Sequence, residues 1–271
     1  MLSLFSDRPA TIIQKTQNTM YKERLTSIPF NVRNQHPRDL RIQFYPEPHI
    51  YKVDEVEYRS VTKIIGQYFE PFDTTYWANQ KARQLGIPAQ EIAEQWAKKG
   101  LIASQKGTAL HSEIEHYLLE GTTQNSVEFS YFLNFVNDHA TLKPYRTEWT
   151  IFHEAYKVAG TLDLIAKREG KLEIYDWKRS KNLISTQTGS LITHAFGGKK
   201  GCGILNHIPD TAYHKYCLQQ SIYRFILEEK YGLEVNAAYL IVLHPRLQRY
   251  YKLKATYYPS EAKAILMQNN L

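Results

Sequence analysis

Cysteine is scarce in this chain. Cys202 and Cys217 are the only 2 cysteines among 271 residues, and they form neither a CxxC pair nor a disulfide framework. Free thiols of this kind are typical of reducing compartments, so the sequence predicts an intracellular, cytoplasmic protein. Long apolar runs are absent as well, and we therefore expect no membrane-spanning helix.

The N-terminus lacks the basic start and apolar core of a secretory signal. Asp7 and Glu23 interrupt its basic residues, which makes it a weak mitochondrial targeting segment. Residues 1–40 show no periodicity and contain three prolines, so we predict an N-terminal extension, flexible or loosely docked. A DNA-tracking arm and a targeting segment are the alternatives. Residues 41–271 are expected to form a single domain.

Core-forming residues are plentiful. Hydrophobic residues make up 43% of the chain and aromatic residues 13%, with 20 tyrosines, which predicts a packed core. The net charge is +7 and the isoelectric point is near 9.1, a modest excess that suits a phosphate-rich partner without proving one.

Hydrophobic periodicity predicts an alternation of strands and helices. Strand patterns occupy residues 42–58, 146–152, 158–166, 172–177, 235–243 and 248–255. Helix patterns begin at Ser60, Asp73 or Thr74, Pro88, Gly107, Val127, Pro209 and Ser260. This order predicts an α/β fold, with a central mixed β-sheet flanked by helices. The first three helices are predicted to be short and to form an N-terminal helical subregion.

The predicted hairpin at 158–178 carries two carboxylates. Asp163 lies in its apolar first strand, while Asp176 and Lys178 share one face at the end of the second. Such carboxylates are costly unless paired or bound to a metal, and two together repel unless a cation lies between them. The pattern favours a divalent-metal site, with Lys178 placed to contact an attacking water or a phosphate oxygen. A surface hairpin with an Asp–Lys pair on its rim is the alternative.

The predicted helix from Gly107 to Gly121 carries the second candidate group. His111 and Glu115 are four residues apart and share a face beside the apolar stripe. They are compatible with a metal or catalytic role and equally with a surface pair. The glycine- and lysine-rich segment 196–203 is compatible with phosphate contact or with a mobile loop. It is not a Walker P-loop, because no Gly-Lys-Ser/Thr follows a strand.

Four motifs in order resemble the RecB-type branch of the PD-(D/E)xK nuclease superfamily. They are a helical Gly-Thr-x-x-His, a Gly-Thr-x-Asp strand, an Asp-Trp-Lys strand and a helical Gln-x-x-x-Tyr, found at Gly107–Thr108 with His111, Gly160–Thr161 with Asp163, Asp176–Trp177–Lys178, and Gln219 with Tyr223. The resemblance covers roughly residues 100–245. It implies a restriction-endonuclease-like core, with the site at one sheet edge under the Gly107–Gly121 helix.

The resemblance also implies roles for these residues. Asp163 and Asp176 would bind Mg²⁺ or Mn²⁺ together with the backbone carbonyl of Trp177, and His111 would be a further ligand or tune a second metal. Lys178 would orient or activate the attacking water. The remaining candidates are two carboxylates near the metal and four substrate-binding residues: Glu115 and Glu148, then Gln219, Tyr223, Arg179 and Lys181.

The activity implied is that of a metal-dependent DNA exonuclease, a phosphodiester hydrolase. A narrower similarity of residues 49–77 and 218–245 to phage and large-virus exonuclease-like proteins, and to mitochondrial genome maintenance exonuclease, implies a preference for single-stranded DNA or DNA ends. A structure-specific endonuclease and a non-catalytic nucleic-acid-binding module remain alternatives. An iron–sulfur cluster held by four cysteines is excluded, because the chain has 2. Helicase motifs are absent, so a helicase, polymerase or recombination partner in DNA replication or repair would be a separate chain.

Overall fold

A computed structural model describes residues 28–269. Its β-strands are β1 Ile42–Tyr45, β2 Ile50–Val53, β3 Val56–Ser60, β4 Lys143–His153, β5 Val158–Arg168, β6 Lys171–Lys178, β7 Val235–Val242 and β8 Tyr251–Lys254. Its α-helices are α1 Phe30–Arg33, α2 Val61–Gly66, α3 Thr74–Leu85, α4 Ala89–Glu120, α5 Val127–Asp138, α6 Ala212–Lys230 and α7 Pro259–Gln268. None of these helices is both long and apolar enough to cross a membrane.

The eight strands form one mixed sheet between helices, which confirms the predicted α/β fold. The order is β1-β2-β3-β5-β6-β7-β8, and β4 pairs with β5. The β3–β5 and β6–β7 pairs are parallel, and the other pairs are antiparallel. The hairpin predicted to be central, β5–β6, lies in the middle of this sheet.

Helices pack on both faces of the sheet. One hydrophobic cluster joins α2, α6 and α7 to Leu172 and Ile174 of β6. A second cluster joins α4 and α5 to Tyr175 and Trp177 of the same strand. The predicted alternation of β6 side chains between two faces is therefore confirmed. Each face is covered by the apolar side chains of the helices that pack on it.

Helix α4 is longer than the sequence predicts. The pattern indicates one helix ending near Lys99 and another starting at Gly107, whereas the structure has a single helix of 32 residues through both glycines, Gly100 and Gly107. Glycine costs a helix interior about 1 kcal/mol relative to alanine but does not end it. The prediction of a third short helix is therefore wrong, and α4 connects the helical subregion directly to His111.

The described part of the predicted N-terminal extension is docked on the outer edge of β4. The side-chain oxygen of Asn31 accepts a hydrogen bond from the Thr147 N–H at 2.9 Å, and its amide donates to the Thr147 carbonyl at 3.1 Å. Residues 28–40 thereby cover backbone groups that a bare edge strand would expose. Residues 1–27, the rest of the predicted extension, lie outside the described residues.

Glu154 anchors the docked segment from the end of β4. Arg38 Nη2 donates to its Oε2 at 2.8 Å, and Arg41 Nη1 donates to its Oε1 at 3.0 Å. Burial alone would raise the pKa of Glu154, but the hydrogen bonds and charge of Arg38, joined by Arg41, lower that pKa from 4.5 to about 2. The ion pair is therefore coupled to folding.

A folded-state pKa below the unfolded value means that this pair stabilises the fold above about pH 4.5 and is lost as the pH falls toward 2. Glu154→Gln is expected to lower the free energy of unfolding by about 1 kcal/mol at pH 7, because a carboxylate that is 32% exposed is screened by solvent. The difference should shrink when urea unfolding is repeated at pH 3. Glu169→Gln, in the exposed β5–β6 turn, is the control. A difference independent of pH would contradict the assignment.

The segment 196–203 is held by backbone hydrogen bonds at its second half. The Gly201 N–H donates to the Ile208 carbonyl at 2.9 Å, and the Cys202 N–H donates to the Tyr68 carbonyl at 2.8 Å. This end of the segment is therefore tied to the loop after α2 and to the approach to α6.

Candidate active site

A gap inside the sheet forms the candidate site. Strand β5 pairs with β3 only at Val158 and Ala159, and with β6 only from Leu164 onward. Residues 160–163 therefore pair with neither strand on that side, and an open cleft of about 550 Å³ occupies the space. The resemblance implied a site at one edge of the sheet, and this expectation is wrong. The cleft lies inside the sheet, where β5 and β6 separate.

Asp163 and Asp176 lie opposite each other where the strands separate. Leu164 pairs with Tyr175 at the end of the β5–β6 ladder, and the two aspartates face each other one residue beyond this pair. Both aspartates are buried. Oδ2 of Asp163 accepts a hydrogen bond from the Trp177 N–H at 2.7 Å. Oδ2 of Asp176 is also buried and lies 2.6 Å from Lys178 Nζ. Two buried carboxylates brought together repel each other unless positive charge compensates them, which fits a cation-binding site.

His111 and Glu148 form a cluster with Asp163. Nδ1 of His111 lies 3.5 Å from Asp163 Oδ2 and 3.9 Å from Glu148 Oε1, and ligand atoms of all three lie within 4.8 Å of one another. The other ring nitrogen, Nε2, is 2.9 Å from the Trp177 carbonyl oxygen, which fixes the ring with Nδ1 toward the carboxylates. One imidazole and two carboxylates fit Mg²⁺ and suit Mn²⁺ especially. The Trp177 carbonyl, predicted as a metal ligand, here orients His111.

Glu148 reaches the cluster through a distortion of β4. Its φ is +45°, in the left-handed region that costs a residue with a side chain about 1–2 kcal/mol. On β5 opposite, Leu162 packs in the cluster with α6 and Leu164 in the cluster with α4, although residues two apart share a face in a regular strand. The alternation of side chains between the two faces of β5 is therefore interrupted at Asp163. Together with the distortion at Glu148, this directs the carboxylates of Glu148 and Asp163 into the cleft.

Lys178 supplies a fixed positive charge at the wall of the cleft. Its Nζ lies 2.6 Å from Asp176 Oδ2 and 4.5 Å from the centroid of the Tyr216 ring. The contact with Asp176 is an ion pair between two buried side chains. The lysine side chain is only 13% exposed, so its charge is held where a negative group entering the cleft would meet it.

The buried groups shift one another's pKa values. Burial disfavours charged His111, but the Asp163 carboxylate outweighs burial and raises the pKa of His111 to about 9. Burial and then Asp163 raise the pKa of Glu148 to about 8. Burial, opposed by Lys178 and reinforced by Asp163, raises the pKa of Asp176 to about 6. Metal ligands bind in their deprotonated form, so a divalent cation at this cluster would oppose the raised pKa values of His111 and Glu148.

Helix α6 contributes a polar wall. Gln219 Nε2 donates to the Tyr223 hydroxyl at 3.0 Å, as their four-residue spacing permits. Gln219 Oε1 is buried and accepts no hydrogen bond from the described residues, so it is available to a donor in the cleft. The Tyr223 ring packs on Gly160, where a Cβ atom would lie 2.5 Å from Tyr223 Cε1. The glycine of the Gly-Thr-x-Asp motif is therefore needed for the close approach of α6.

Gly160→Ala is expected to lower the free energy of unfolding by about 1–3 kcal/mol, because its Cβ overlaps the Tyr223 ring and forces α6 or β5 to move. Urea unfolding measures the effect. Gly100→Ala is the matched control: nothing lies within 4 Å of its Cβ position, and it sits inside α4. That change should stabilise the protein by about 0.5–1 kcal/mol. If Gly160→Ala were as stable as the parent protein, the packing of Tyr223 on β5 would be contradicted.

The other predicted residues are placed differently. Glu115 lines the cleft, and burial raises its pKa. Arg179 points elsewhere, because its Nε donates to Glu128 at 2.8 Å, and neither Arg179 nor Lys181 lines the cleft. Sequence reasoning gave Glu148 a supporting role, whereas it lies within the cluster. The one sequence feature that could have indicated this role for Glu148 is its position in the strand that leads directly into the central hairpin.

Comparisons with known proteins add little to this geometry. The chain matches no family model and no curated protein. Among solved structures, the one described as "Crystal structure of SSO0001" is similar over 96% of this chain and 85% of that chain, at 12% sequence identity and a TM-score of 0.33. A likeness at that TM-score supports no conclusion about fold or activity.

Proposed function

We propose that the chain is a metal-dependent deoxyribonuclease of the PD-(D/E)xK type, acting as an exonuclease on single-stranded DNA or DNA ends. The observation that carries the proposal is convergence: residues from all four motifs line one cleft, on α4, β5, β6 and α6, namely His111, Asp163, Asp176, Lys178, Gln219 and Tyr223. A surface hairpin with an Asp–Lys pair would leave these groups exposed, but both aspartates are buried. The restriction-endonuclease-like core belongs to the same proposal.

The chain's residues divide the chemistry of phosphodiester hydrolysis between them. When bound by His111, Glu148 and Asp163, a divalent cation supplies a Lewis acid and lowers the pKa of a water ligand. Asp176 adds a second buried aspartate carboxylate beside that cluster, paired with Lys178. Lys178 places a positive charge near the same point, where it stabilises negative charge on the phosphate or orients the attacking water.

A preference for unpaired DNA is supported by the opposite wall of the cleft. The β1–β2 hairpin contributes Phe44, His49 and Tyr51 to the lining. Tyr51 is buried, with its ring stacked on Phe44 at 4.6 Å between centroids, so the half-buried Phe44 and the exposed His49 are the rings that a base can reach. Aromatic side chains beside a charged catalytic group suit unpaired bases, because every base offers a face for stacking.

The test is cleavage of end-labelled linear single-stranded DNA, beside the same sequence as a covalently closed circle, in Mg²⁺, in Mn²⁺ and in EDTA. We expect loss of the linear strand alone, and no loss in EDTA. The label that disappears first gives the polarity. Undiminished cleavage in EDTA would refute the metal-dependent mechanism.

Two other outcomes would favour the alternatives. Cutting of the closed circle would identify an endonuclease, since an exonuclease needs an end. Binding of both substrates without cleavage, in either metal, would favour a non-catalytic nucleic-acid-binding module.

A further inference from the structure

A second cavity lies at the other end of α4, outside the cleft. It has a volume of about 520 Å³, within the range of about 300–1,000 Å³ typical of ligand sites. Its lining contains four aromatic rings and two lysines, namely Phe72, Trp77, Trp96, Phe196, Lys81 and Lys199, together with two glutamines and Asp210. None of the four nuclease-like motifs includes these residues, and Phe196 and Lys199 belong to the glycine- and lysine-rich segment 196–203.

The aromatic side chains of this cavity are unusually open to solvent. Phe196 is 84% exposed and Phe72 is 65% exposed, while Trp77 and Trp96 are half-buried. The rings meet edge to face, Phe72 with Trp96 at 5.8 Å and Trp77 with Phe196 at 6.2 Å between centroids. Exposed aromatic rings grouped around a cavity indicate a binding site, because scattered apolar residues rather than clusters are the ordinary state of a surface.

The lysines of the cavity suit an anionic partner. The acidic residue in the lining, Asp210, is already paired with Lys215 Nζ at 2.6 Å. Lys81 is exposed at the cavity, and Lys199 is exposed in an ion pair with Glu70 that an incoming phosphate could exchange. Aromatic rings for bases together with lysines for phosphates are the two components of sites for single-stranded nucleic acid.

Helix α4 connects this cavity to the cleft. Trp96 and His111 are 15 positions apart on one continuous helix, which corresponds to about 22 Å along its axis. A stacked strand rises about 3.4 Å per nucleotide and an extended strand rises more, so about seven nucleotides or fewer would span the two sites.

We infer that the aromatic cavity stacks the unpaired bases of a single DNA strand at a distance of about seven nucleotides or fewer from the cleft. The identity of the strand rests on the proposed function, but the stacking does not require cleavage. Phe196 and Phe72 are the rings whose exposed faces the bases cover. Trp77 and Trp96 report the event, because the other two of the four tryptophans, Trp149 and Trp177, are fully buried.

Binding is measured by titrating the whole protein with fluorescein-labelled oligothymidylate of 20 nucleotides in EDTA, following anisotropy and tryptophan fluorescence. The parent should bind with quenching of tryptophan. Phe196→Ala and Phe72→Ala should each raise the Kd at least about fivefold, the lower end of what one base–aromatic stack contributes, and reduce the quenching. Phe196→Tyr should bind within about twofold of the parent. Leu40→Ala, which removes a side chain that is 81% exposed elsewhere, should bind as the parent does.

An abasic oligonucleotide of the same length separates base stacking from backbone attraction. It should bind the parent more weakly than oligothymidylate, and it should bind Phe196→Ala as it binds the parent. Equal affinity of the parent for the two oligonucleotides, or a parental Kd and quenching in both alanine variants, would overturn the inference. Absence of any binding by the parent would overturn it as well.

The two proposals fail separately. If the protein cleaves DNA while Phe196→Ala and Phe72→Ala bind normally, the stacking site is refuted and the nuclease stands. If the protein does not cleave DNA but shows the expected titrations, the nuclease is refuted and the stacking site stands. In an active protein, Phe196→Ala should raise KM for the 20-nucleotide strand and leave KM for a dinucleotide unchanged.

Discussion

Asp163→Asn is expected to lower the rate of DNA cleavage in Mg²⁺ or Mn²⁺ by about 10³-fold or more. Asp163 is the shared member of the metal cluster, 3.5 Å from His111 Nδ1 and opposite Asp176. A metal ion contributes several kcal/mol to such a reaction, and each 1.36 kcal/mol corresponds to about tenfold in rate. Asparagine keeps an oxygen that can accept the Trp177 N–H, so the fold should remain. Initial rates on labelled single-stranded DNA measure the effect.

The matched control is Glu173→Gln on the same hairpin. Glu173 is also a buried carboxylate in the sheet, but it accepts its hydrogen bond from Tyr175 and does not line the cleft. Its loss should leave the cleavage rate within about tenfold of the parent. A comparable loss of activity in both variants, with lowered Tm, would attribute the Asp163 effect to folding. Cleavage by Asp163→Asn within tenfold of the parent would refute the metal site.

Lys178→Gln is expected to reduce kcat by about 10²- to 10³-fold, the effect of removing one preorganised charge from a buried site. The affinity for Mn²⁺ should remain, because Lys178 neighbours the metal cluster without belonging to it. Lys178→Arg should recover part of the activity, since the charge returns with different geometry. Steady-state rates and Mn²⁺ titration by calorimetry make the measurement.

Lys171→Gln, at the exposed start of the same strand, is the control for a lost positive charge. Folding also needs a check by Tm, because Lys178→Gln leaves the buried Asp176 without its counterion, and an unpaired buried charge is destabilising. A parental kcat for a folded Lys178→Gln protein would exclude the proposed role of the lysine. A loss of Mn²⁺ affinity equal to the loss of kcat would instead make Lys178 part of the metal site.

The parts of the fold that follow from local chemistry were predictable. The two-residue period of β6 placed Asp176 and Lys178 on one face and Trp177 on the other, and the structure confirms the division. Asp73 or Thr74 was predicted to cap the helix carrying Trp77, and the structure has Asp73 in that role, since its carboxylate accepts the Tyr76 N–H at 2.8 Å. Each of these features depends on residues close together in the chain.

The features that were missed depend on contacts between distant segments. The gap beside residues 160–163 arises because β3 and β6 pair with different ends of β5, which periodicity does not reveal. Glu148 enters the metal cluster only through its left-handed φ and its register against Asp163, and nothing in the local sequence signals either. The run through Gly100 in α4 is a different case: residues 97–106 are exposed, so packing does not decide it, and the cost of about 1 kcal/mol for one glycine in a helix interior is too small to end the helix.

The most direct test of the central claim joins metal occupancy to hydrolysis in one sample. Mn²⁺ binding by electron paramagnetic resonance is measured beside the initial rate on linear single-stranded DNA, across the same Mn²⁺ concentrations. We predict that the rate rises in proportion to bound Mn²⁺, and that Asp163→Asn loses binding and rate together. Tight Mn²⁺ binding at the cluster with no hydrolysis at any occupancy, or hydrolysis that persists when no Mn²⁺ is bound, would contradict it.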